Sequence, residues 1–241
     1  MDRRSFLRSF FGMVAFGTSA WMFLKETVAA RALGSFITAG EKEVANAPKE
    51  ARVFKKKSFK NIPAVKFLVI GDWGAGGSFQ RSIAQQMLLK AEAETPQFVL
   101  STGDNIYPNG VDSTTDRQWD TKFKNVYTGV ALELPWYAVL GNHDYRLSPE
   151  AQVEYSKVNP RWNMPERYYT FKEEFPDAPM VDFFALDTQK ILTDKSERAV
   201  QAKWLGEQLA KSTARWKIVV GHHMIRSHGI YGDQEFMLKS V

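Results

Sequence analysis

The chain contains no cysteine. That absence excludes disulfides, thiolate metal sites and a cysteine nucleophile. Any bound metal must be held by oxygen and nitrogen donors, which favours hard or borderline ions. Histidine is scarce too: there are four in 241 residues, at His143, His222, His223 and His228. No internal repeat or low-complexity tract is present. The apolar run from Phe10 to Leu24 is shorter than the roughly 20 residues that span a bilayer. Hydrophobic residues make up 44% and aromatics 13%, enough for a sizeable core and too many for a disordered chain.

Strong charge of one sign is also missing. The formal net charge is +5. Residues 1–32 hold five basic residues (Arg3, Arg4, Arg8, Lys25, Arg31) against two acids (Asp2, Glu26), so they supply +3 of it. The remainder carries +2, which is poor ground for a nucleic acid partner. Lys55, Lys56, Lys57 and Lys60 form a basic cluster that reads as a solvated linker.

The first residues, Asp2-Arg3-Arg4-Ser5-Phe6-Leu7-Arg8, have the form of a twin-arginine signal. The short apolar run follows, then small residues with candidate cleavage sites at Val28-Ala29-Ala30 and Ala30-Arg31-Ala32. We therefore expect an export signal over 1–32, a linker over 33–63 and one domain over 64–241. An uncleaved anchor is the competing reading of the leader. Export implies the twin-arginine machinery as a partner and a periplasmic or secreted bacterial protein. Membrane contact would be limited to the N-terminal segment. Oligomeric state is not legible.

Within the domain, Phe67–Ile70, Phe98–Leu100, Trp136–Leu140 and Lys217–Val220 read as short buried strands. Helical spacing is seen over Phe79–Glu92 (Ile83, Met87, Leu88 inward), Thr115–Val130 (Trp119, Phe123, Val126) and Val200–Lys211 (Trp204, Leu205, Leu209). Alternating strands and helices predict an α/β layered fold.

Each strand is followed by residues of metal-ligand type. These are Asp72-Trp73-Gly74, Gly103-Asp104-Asn105-Ile106-Tyr107, Gly141-Asn142-His143-Asp144 and Gly221-His222. In a parallel sheet the carboxyl ends of the strands line one edge, where ligands collect. A lone Asp72 could simply cap a turn, and a lone Tyr107 could be buried beside Pro108. Together they place two Asp, an Asn, a Tyr and a His at one edge, a set that suits a pair of cations. A carboxylate such as Asp104 has lone pairs enough for two ions about 3.5–4 Å apart. A phenol with an ordinary pKa of about 10 binds as phenolate only to a strongly acidic ion.

With their flanks, these motifs resemble the purple acid phosphatases of the small tartrate-resistant type, within the calcineurin-like metallophosphoesterases. The resemblance runs from about Val65 to the C-terminus. It includes Gly103-Asp104-Asn105-Ile106-Tyr107-Pro108-Asn109-Gly110-Val111, Trp136-Tyr137-Ala138-Val139-Leu140-Gly141-Asn142-His143-Asp144, Arg161-Trp162-Asn163-Met164-Pro165 and Asp182-Phe183-Phe184-Ala185-Leu186-Asp187-Thr188. It implies two stacked mixed β-sheets flanked by helices, and hydrolysis of small phosphate monoesters with an acid optimum. The implied cofactor is a dinuclear centre of Fe(III) with Fe(II), Zn(II) or Mn(II), whose hydroxide attacks phosphorus. Asp72, Asp104 and Tyr107 would hold the trivalent ion, and Asp104, Asn142 and His222 the divalent one. His143 would contact phosphate and protonate the leaving oxygen, with Asp144 orienting its ring.

Two features depart from the family pattern. A later Gly-His-x-His is absent, and Tyr231 stands where the second catalytic His belongs. His228, three residues earlier, is the candidate replacement. The simplest expectation is a C-terminally truncated chain with an incomplete second sheet and reduced activity. A phosphodiesterase of the same superfamily and a metal-binding protein without catalysis remain as alternatives.

Overall fold

The computed structural model describes residues 64–175, 178–229 and 232–234. The leader, the linker and Tyr231 lie outside the described residues.

Four strands form the first sheet in the order β1 (Phe67–Ile70), β2 (Phe98–Ser101), β3 (Trp136–Ala138) and β4 (Trp162–Asn163). All three pairings are parallel. A parallel strand covered on both faces reads as an unbroken apolar run. β2 shows why: all four of its residues are buried.

Helix α1 (Gly77–Glu94) crosses from β1 to β2. It buries Gln80, Ala84, Met87 and Ala91, one stripe at i, i+4, i+7 spacing. Ile83, expected inward, is 36% exposed, because it lies one position off that stripe. Thr95 ends the helix in the left-handed conformation, its N–H bonded to the Ala91 carbonyl. The expected helix over Thr115–Val130 is reduced to one π-helical turn, Trp119–Lys124. The Asp116 carboxylate accepts the N–H groups of Asp112 and Gln118, diverting backbone donors from a regular helix. The turn still buries Trp119 and Phe123, and Trp119 stacks on Tyr155 of α2 (Pro149–Tyr155) at 3.7 Å.

The second sheet has the order β5 (Tyr169–Phe175), β6 (Ala178–Ala185) and β7 (Trp216–Val220). β5 and β6 are antiparallel, while β6 and β7 are parallel across α3 (Thr188–Thr193) and α4 (Lys195–Lys211). This sheet is mixed, and the first is wholly parallel among the described residues.

Aromatic rings join the two sheets face to face. Phe67 stacks on Phe98 at 5.0 Å, and Phe98 meets Phe171 and Phe183 edge-on at 5.7 and 5.4 Å. Phe171 stacks on Phe183 at 4.5 Å and on Tyr137 at 3.7 Å. The parallel strands β1, β2 and β3 deliver three loops to one edge, and His222, after β7 of the second sheet, reaches the same edge at Thr102 and Asp104.

Candidate metal centre

The loops after β1 and β2 are fitted together by backbone. Asp72 N–H donates to the Gly103 carbonyl at 3.0 Å, and Tyr107 N–H to the Gly74 carbonyl at 3.0 Å. Asp72 (φ 57°) and Asp104 (φ 49°) both adopt the left-handed region. Such strain on residues other than glycine gathers at functional sites. Two glycines make the close approach possible. A Cβ at Gly141 would overlap the Asp104 carboxylate, and one at Gly103 would lie 2.7 Å from the His222 Cβ.

Ligand atoms of Asp72, Asp104 and His222 lie within 4.8 Å of one another. The Tyr107 hydroxyl sits between the carboxylates, 2.7 Å from Asp72 Oδ1 and 2.8 Å from Asp104 Oδ2. The other Asp104 oxygen, Oδ1, accepts the His143 backbone N–H at 2.8 Å. His222 Nε2 stands 3.6 Å from Asp104 Oδ2, and His222 Nδ1 is 3.0 Å from the Thr102 carbonyl. A ring nitrogen facing a carbonyl carries the proton, so Nε2 keeps its lone pair toward the carboxylates.

These donors fit a cation. Asp104 is 2% exposed, and among the described residues no Lys or Arg side chain is bonded to its carboxylate or to that of Asp72. Burial, then the bonds to Asp72 and Asp104, push the Tyr107 phenol well above its ordinary range. A positive charge among the three oxygens would relieve both effects.

Residues 65–240 match the family model described as calcineurin-like phosphoesterase. The chain belongs to this family. It is 39% identical over 195 residues to purple acid phosphatase 17 of Arabidopsis thaliana, covering 72% of this chain and 56% of that protein. It is 32% identical over 201 residues to tartrate-resistant acid phosphatase type 5 of Homo sapiens, covering 74% and 62%. The chain spans about half the length of the curated plant relatives it matches. Among solved structures, the fold matches "GAP50 the anchor in the inner membrane complex of Plasmodium" with a TM-score of 0.66, 24% identity and coverage of 73% of this chain and 60% of that one.

Asn142 is half-buried on the loop that Asp104 and Asp144 hold through the N–H groups of His143 and Gly141. His143 packs on Tyr107, ring centroids 4.4 Å apart. Its Nδ1 is 2.6 Å from the Pro108 carbonyl, so Nδ1 carries the proton. Arg146 Nη2 is 3.3 Å from His143 Nε2.

Asp144 does not orient that ring, which corrects the expectation from sequence. The residue is fully buried, and its carboxylate accepts N–H groups of Gly141, Asn105 and Ile106 and the Gln152 amide. Its position directly after His143 sends the side chain inward, between the loops. Pro108 does the orienting. His228 is exposed and is not one of the residues grouped with Asp72, Asp104 and His222.

Sequence reasoning missed the supports. Thr102 and Pro108 act through carbonyls, which carry no residue-type signal. Thr188 offered one: Asp187-Thr188 follows the apolar run Phe183–Leu186 as the other motifs follow theirs. His223, which the sequence placed beside the ligand His222 and not among the ligands, faces Thr188 at 2.8 Å. Burial first, then the neighbouring His222, pulls its imidazole down to about 4.

Proposed function

We propose that this phosphoesterase hydrolyses small phosphate monoesters at a dinuclear metal centre. The observation that carries the reading is the convergence of the Tyr107 hydroxyl on Asp72 and Asp104 beside His222. When bound, two cations would neutralise phosphate oxygens and acidify a water enough to attack phosphorus.

The chain's own residues divide the remaining work. Asp72, Asp104 and Tyr107 form an anionic oxygen side suited to Fe(III). Asp104, Asn142 and His222 form a less charged side suited to Fe(II), Zn(II) or Mn(II). Asp104 belongs to both, and the His143 N–H holds one of its oxygens in place. His143 contacts phosphate and, as the doubly protonated imidazolium, hands its Nε2 proton to the leaving oxygen while the Pro108 carbonyl keeps the Nδ1 proton. Arg146, exposed and bonded to the same carbonyl at 3.2 Å, adds a cationic donor at the rim. A trivalent ion held by Asp72, Asp104 and Tyr107 would acidify a water, which predicts a rate optimum below neutrality. The paired arginines of the leader support twin-arginine export to the periplasm or beyond.

The test is metal-loaded protein assayed on an aryl phosphate and on the matching diester across pH. Monoester turnover with an acid optimum, lost with chelator and in Asp104→Asn, is the expected result. Faster diester cleavage, or turnover indifferent to metal, would sink the reading.

A further inference from the structure

Thr188 stands at the N-terminus of α3, directly after β6, and is 2% exposed. Its hydroxyl faces three groups of one dipeptide 34 and 35 positions away. It accepts the backbone N–H of His222 at 3.2 Å and that of His223 at 3.1 Å. It also lies 2.8 Å from His223 Nδ1. A hydroxyl has two lone pairs and one proton. Both lone pairs are taken by the backbone donors, so the proton goes to His223 Nδ1. That fixes His223 as the tautomer protonated on Nε2.

The neighbours of Thr188 hold it still. A Cβ at Gly221 would overlap the Thr188 methyl, so the backbone leaving β7 passes close against it. The preceding peptide is clamped by Gln201 of α4, whose amide accepts the Asp187 N–H at 3.0 Å and donates to the Asp187 carbonyl at 3.3 Å. Asp187 in turn accepts the Tyr145 hydroxyl, from the loop that carries Asn142 and His143. The loops after β3, β6 and β7 are thereby tied through one polar chain.

We propose that Thr188 is a positioning residue of the metal centre: its hydroxyl holds the His222–His223 peptide so that the His222 ring meets Asp104. This rests on the metal-centre reading above. His222 then needs only its Thr102 contact to aim Nε2, and the backbone cannot swing the ring away.

Cobalt(II) is the probe, with affinity and visible spectrum measured on wild type, Thr188→Val, Thr188→Ser and Asp104→Asn. Loss of an outer hydrogen-bond partner costs about 10- to 100-fold in metal affinity. Thr188→Val is expected to weaken cobalt by that factor and alter its spectrum, and Thr188→Ser to restore both. Wild-type affinity in a folded Thr188→Val overturns the proposal alone. Failure of wild type to bind cobalt, or indifference to Asp104→Asn, overturns the metal-centre reading instead. Histidine nitrogen NMR on metal-free wild type is independent of every variant. A proton on Nε2 of His223 supports the arrangement, and a proton on Nδ1 overturns it.

Discussion

Both carboxylate oxygens of Asp144 accept the backbone N–H of Asn105 at 3.0 Å, across 39 positions of sequence. The same carboxylate binds Gly141 N–H at 2.9 Å and the Gln152 amide at 2.8 Å. It therefore pins the loop after β3 to the loop after β2, which is what sets Asn142 and His143 beside Asp104. Asp144→Ala strands several buried donors, each costing about 1–3 kcal/mol. The expected loss is about 3 kcal/mol or more, read from urea unfolding of metal-free protein. A loss below about 1 kcal/mol, the size of one ordinary hydrogen bond, would contradict that pinning role.

Tyr107→Phe removes the phenol while leaving the ring packed on His143. Protein loaded with ferric iron is expected to show a visible absorption band from phenolate coordination, and the variant to lack it. An unchanged band would remove Tyr107 from the ligand set.

Phe98 is 1% exposed and joins Phe67, Phe171, Phe183 and Tyr137 between the sheets. Truncation there leaves a cavity that neither sheet can close. Phe98→Ala is expected to cost about 3–5 kcal/mol and Phe98→Leu distinctly less. Denaturant titration of both variants checks the order.

Asp187 gives a pH dependence with a definite sign. Burial raises its carboxyl above the ordinary value of 3.8, against the lowering effects of the Tyr145 bond, the Lys190 N–H, and the Arg167 and Lys190 charges. Between 3.8 and the raised value the folded chain binds more protons than the unfolded one. This group's contribution to stability is therefore greatest at low pH and is lost as pH rises through that window. Asp187→Asn is expected to flatten the stability–pH profile there, as measured by chemical denaturation at a series of pH values. An unchanged slope would show that the group is not perturbed.

β2 was legible because parallel pairing buries both faces and leaves an apolar run in the sequence, whereas β1 and β7, also expected to be buried, leave Val69 and Val219 exposed. Phe98–Ser101 illustrates it, with every residue buried. The helix over Thr115–Val130 was not, because Asp116 bonds locally to Asp112 and Gln118, and periodicity does not report such bonds. Asp72, Asp104, Tyr107 and His222 stood out by type and by place after a strand. The structure brings their polar atoms together.

The sequence by itself determined which side chains reach the strand ends, since strand length and the turn after it are local properties. It also excluded thiolate chemistry outright. Only the tertiary structure decided which neighbours aim those side chains. Asp144 turned inward to bind backbone, Pro108 took the His143 ring, and Thr188 took the His222–His223 peptide. Those partners lie between 34 and 39 positions apart, and no local pattern encodes a contact made by loops that follow different strands.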